Sequence, residues 1–60
     1  MKIRKAIELI DIVIDRVKET TPKFEQDPGL VTMVAAFEVA VRALEKLESE
    51  VGNVEFDLDA

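Results

Sequence analysis

Sixty residues, 48 % hydrophobic and 35 % charged, allow one small folded domain, and a chain of this size buries only about 60 % of its unfolded surface, so it needs support beyond its own core. Cysteine and histidine are both absent, which excludes disulfides, Cys/His zinc sites and catalysis by a His base or Cys nucleophile, and leaves oligomerisation as the available support. The net charge of −5 is uneven: residues 1–20 carry +1, residues 21–44 carry −1 and residues 45–60 carry −5.

From about residue 2 to 19, Ile3, Ile7, Ile10, Ile14 and Val17 recur at alternating spacings of four and three, the signature of a helix with one buried stripe. Ala6 and Val13 widen the stripe and Leu9 lies at its edge. A strand would need period-2 alternation, which fails at Ile12-Val13-Ile14. Ile12 falls on the wet side among Lys5, Arg16 and Glu19, either as a lone exposed apolar residue or as a contact point for a partner.

Thr20-Thr21-Pro22 ends this helix, because proline disfavours helical geometry in the residue before it and has no backbone N–H to donate. Asp27-Pro28 opens the next: aspartate accepts from unpaired amides at the N-cap, and proline at the first helical position loses nothing. The short connector between them makes the helices antiparallel neighbours, with Phe24 placed to plug the end of the bundle.

The second helix is predicted over about 28 to 51, with a seam of Leu30, Met33, Phe37, Ala40, Leu44, Leu47 and Val51. Val34 and Val41 flank one edge of that seam, and Ala36, Val39 and Ala43 the other. Within it, twelve of the fifteen residues from Leu30 to Leu44 are apolar, and a helix apolar on nearly every side must be covered on nearly every side. One partner helix is too few. The expected fold is therefore an all-α antiparallel helical hairpin that assembles as a homodimeric four-helix bundle or a higher oligomer. Met33, Ala36, Phe37, Ala40, Ala43, Leu44 and Leu47 form the expected oligomer interface, and Ile3, Ile7, Ile10, Ile14, Val17 and Leu30 the hairpin core. The alanine flank permits close approach of two copies of the second helix.

Gly52-Asn53 stops the second helix, which sets the oligomerisation domain at residues 1–51. Residues 52–60 are read as an acidic tail, extended or disordered, in which Val54, Phe56 and Leu58 alternate with Glu55, Asp57 and Asp59. These three apolar residues, with Ile12, are the candidates for contact with a partner. Lys2, Arg4 and Lys5 crowd one helix end, and Glu45, Glu48 and Glu50 crowd the end that lies beside it in an antiparallel hairpin, so the charges favour that topology. Glu38 and Arg42 are spaced for a pair within the second helix.

Chemistry has little to stand on. Ser49 has no base near it, no phosphate-binding glycine motif occurs, and no cofactor is expected. Glu8, Asp11 and Asp15 share one ridge of the first helix, and this E-x-x-D spacing resembles half of the magnesium site of all-α nucleotide pyrophosphohydrolases. That resemblance implies a remote alternative, a divalent-metal-dependent hydrolase completed by Glu45 and Glu48. A solvated face is the stronger reading of the ridge, and the chain is taken to be non-enzymatic. Acids balance the bases and a pI near 4.5 lacks the footprint of a nucleic-acid binder, so the expected partners are the chain itself and an unidentified protein. No membrane segment is expected, since the apolar run falls short of the ~20 residues of a spanning helix and no signal peptide is visible. A cytoplasmic location follows.

In size and design the chain is similar to the plasmid regulator Rop, a hairpin that pairs into an antiparallel four-helix dimer. AIELIDIVIDR, followed by a connector and AFEVAVRALEKLE, resembles short phage and prophage proteins in which an amphipathic helix precedes one ending in A-x-x-A-L-E-K, over Ala6 to Glu48. This resemblance implies a small viral accessory protein of the host cytoplasm, in a class that includes inhibitors of host or defence enzymes. The alternative function is thus an acidic inhibitor whose Glu8, Asp11 and Asp15, or whose tail, occupies a basic site.

Overall fold

The computed structural model describes residues 1–56, in which two helices pack against each other as a hairpin: α1 over Ile3–Thr20 and α2 over Pro28–Val51, joined through a single 3₁₀ turn at Phe24–Gln26. At ~1.5 Å per residue α2 is about 36 Å long, which accounts for the 38 Å long dimension against 20 and 19 Å across. Among the described residues no helix is long and apolar enough to cross a membrane.

Local chemistry sets each boundary. α1 ends at Thr20, where the extended Thr21 (φ −109°, ψ 102°) still donates to the Val17 carbonyl. Lys23 then takes the left-handed conformation at φ 58° and reverses the chain. At the start of α2, Oδ1 of Asp27 accepts the Leu30 amide at 3.1 Å and Pro28 occupies the first turn. The far end of α2 closes when Gly52 donates to the Glu48 carbonyl and turns away at φ 85°, ψ −174°, a conformation essentially reserved for glycine.

The start of α1 has a different solution. Its N-cap residue, Lys2, has no side-chain acceptor, and the segment after α2 supplies what is missing. The Val54 carbonyl accepts the Ile3 amide at 3.0 Å, Oδ1 of Asn53 accepts the Arg4 amide at 2.9 Å, and the Phe56 amide donates to the Met1 carbonyl at 2.9 Å. Lys2 and Glu55 thereby form an isolated antiparallel bridge. Residues 52–56 are thus an extended clasp across the open end of the hairpin, over the fully buried Ile3.

Only Ile3, Ile7, Ile14, Val34 and Val41 are buried among the described residues. Ile3, Ile7 and Val41 make one cluster, with Ile10, Leu44 and Leu47 half-buried against it. In the expected hairpin core Ile3, Ile7 and Ile14 are buried, and Ile10, Val17 and Leu30 are half-buried. The expected α2 seam is divided, with Leu30, Phe37, Ala40, Leu44 and Leu47 half-buried and its other two members exposed. Val34 and Val41 face α1, while Met33 and Val51 are 37 % and 52 % exposed. Leu30, Val34, Phe37, Val41 and Leu44 follow the same four-three spacing as the expected seam, displaced by a fraction of a turn. On a helix apolar nearly all round, periodicity does not choose between these stripes. Packing of Val41 with Ile3 and Ile7 distinguishes the observed rotation.

Candidate interaction surface

The hairpin has two unlike broad faces. On the first, Arg4 holds Glu48 by a bidentate contact, Nε to Oε2 at 3.1 Å and Nη2 to Oε1, and Lys18 approaches Glu38 at 3.6 Å. The hydrogen bond and charge of Glu48 raise the Arg4 pKa above its ordinary value, with Glu45 and Glu8 adding to the effect against partial desolvation. Arg4–Glu48 is the part of the expected cation–carboxylate cluster that the structure joins. Glu38 reaches Lys18 of α1, so the pair expected within α2 with Arg42 gives way to one between helices, a half-exposed contact of small energy. Glu8, Asp11 and Asp15 are exposed on the same side of α1. Among the described residues no group of three or more acidic side chains comes together to hold a metal ion.

The opposite face is apolar on both helices. Leu9, Ile10 and Val13 of α1 and Phe37 of α2 line one shallow groove of about 150 Å³. Leu9 and Val13 lie on the flank of the α1 stripe away from Asp11, Asp15 and Lys18. Met33, Ala36, Ala40, Ala43, Leu44 and Leu47 continue the surface along α2 on the flank away from Glu38, Arg42 and Glu45. Of the residues expected at an oligomer interface, Met33, Ala36 and Ala43 are exposed, and Phe37, Ala40, Leu44 and Leu47 are half-buried. Sequence reasoning placed Val13 and Leu9 only as an extension and an edge of the α1 core. Their position on the same flank relative to Ile3, Ile7 and Ile14 was the available signal that they belong to this surface.

The other candidates are scattered. Ile12 is exposed on the outer side of α1, and Val54 and Phe56 are exposed in the clasp, at the open end of the hairpin. Leu58 lies outside the described residues. At the bend, a wide open cleft is lined by Lys18, Glu19, Lys23 and Glu25 together with Phe24, so it offers charges of both signs and no converging set. Phe24 itself is half-buried there, in the 3₁₀ turn.

Compared with known protein families, with curated proteins and with solved structures, the chain matches none.

Proposed function

We propose that this chain is a non-enzymatic, self-associating protein-interaction module, a helical hairpin that works as a homo-oligomer. The observation that carries this reading is the continuous apolar face formed by Leu9, Val13, Met33, Phe37 and the α2 alanines, set opposite a face closed by ion pairs. A hairpin built only to stand alone gains nothing from such a face, and apolar surface of this kind marks an interaction site.

Sedimentation equilibrium at micromolar concentration tests the proposal. Wild type is expected at a multiple of the single-chain mass, Val13→Glu at the single-chain mass, and Ala35→Glu, on the charged side of α2, at the wild-type mass. Val13 is already 46 % exposed in the hairpin, so the glutamate leaves α1 helical by circular dichroism while it puts a charge in the interface. Wild type sedimenting as a single chain overturns the proposal.

A further inference from the structure

We infer that the occupant of the apolar face is a second copy of this chain in one defined orientation, with α2 antiparallel to α2 and Ala40 on the two-fold axis. The inference rests on the self-association proposed above and specifies its geometry. Along the free flank of α2, side-chain size is self-complementary about Ala40: Ala36 mirrors Leu44, Ala43 mirrors Phe37, and Met33 mirrors Leu47. When two such helices run antiparallel, Leu44 of each copy comes level with Ala36 of the other, so the large side chain beside the axis faces a methyl group, while Phe37 and Ala43 come level at the two edges of the contact. A two-fold contact requires this reciprocity, in which residue i touches j and j touches i.

The structure leaves these positions on one side of α2, none of them fully buried by α1, over a length of about 21 Å. The α1 flank has no matching pattern: Leu9 and Val13 are bordered on the outside by Lys2, Lys5 and Arg16. Alanine at the crossing point allows the α2 axes to approach to the short end of the usual 8–10 Å range, and opposed helix dipoles favour the antiparallel sense.

Because the chain contains no cysteine, a single introduced thiol reports on its own symmetry mate. Ala40→Cys and Ala36→Cys are compared in a glutathione redox buffer, which lets chance collisions exchange away. Ala40→Cys is expected to convert almost wholly to a disulfide-linked dimer, since residues on the axis come within the ~4.4–6.8 Å Cα separation that a disulfide spans. Ala36→Cys is expected to give only traces, its two copies being offset by about 12 Å along the helices. Equal cross-linking of both variants indicates parallel helices and overturns the inference. No cross-linking of Ala40→Cys, in a protein that still sediments as an oligomer, overturns this geometry while self-association stands. A single-chain mass removes both.

Discussion

The amide of Arg4 donates to Oδ1 of Asn53, 49 residues away in sequence, at 2.9 Å. An N-cap is ordinarily supplied by the residue next to its helix, but here the neighbouring residue is Lys2, and Lys2, Arg4 and Lys5 put positive charge at the positive end of the α1 dipole. α1 therefore depends on the far end of the chain for its first turn. Gly52 makes this possible, since its positive φ turns the chain from α2 back over Ile3.

Asn53→Ala is expected to cost about 1 kcal/mol, the usual loss on removing a capping side chain, and Asn53→Asp to keep most of the stability because it retains the acceptor and adds negative charge beside α1. Urea unfolding followed by far-ultraviolet circular dichroism measures both, at one fixed protein concentration because association contributes to apparent stability. If alanine unfolds at the wild-type urea midpoint, the contact is not acting as a cap.

Lys23 is the one non-glycine residue with positive φ among those described, at φ 58°, ψ 34°. A side chain in that region costs roughly 1–2 kcal/mol, and glycine avoids it while adding up to about 1 kcal/mol of backbone entropy to the unfolded chain. Lys23→Gly is therefore expected to stabilise by about 0.5 kcal/mol, whereas Lys23→Val, branched at Cβ, destabilises. The opposite signs are the test, and a valine variant as stable as wild type would show that the turn relaxes out of the left-handed region.

Much of this fold is legible in the sequence, for reasons that can be named. α1 carries one apolar stripe, so its period identifies Ile3, Ile7 and Ile14 directly. Asp27-Pro28 and Gly52 are local backbone signals, and the start and stop of α2 fall where they place them. The α2 rotation is not legible, because a helix apolar on nearly all sides has several equivalent stripes. The choice is made by contacts distant in sequence, the packing of Val41 against Ile3 and Ile7. The clasp is hidden for a related reason: alternation shows that Val54 and Phe56 are extended, but nothing local shows that residues 53 and 54 meet the start of α1. For the interaction surface, composition indicates that cover is needed, and the groove between Leu9, Val13 and Phe37 shows on which side.

The rotation of α2 can be tested by two valines that the simple heptad ranks in the wrong order. Val51 lies on the expected seam and Val41 at its edge, yet Val41 is 8 % exposed and packs with Ile3 and Ile7, while Val51 is 52 % exposed. Truncating Val41 removes two buried methyl groups and leaves a cavity against side chains held in place by the clasp, so Val41→Ala is expected to cost about 2 kcal/mol. Val51→Ala loses little contact and gains helix propensity, and is expected to stay within about 0.5 kcal/mol of wild type. Urea midpoints at fixed protein concentration decide between the two stripes. The reverse order, with Val51 the costly position, would mean that α2 packs on α1 through Met33, Ala40 and Leu47, and the apolar face would then have to be sought along Val34 and Val41 instead.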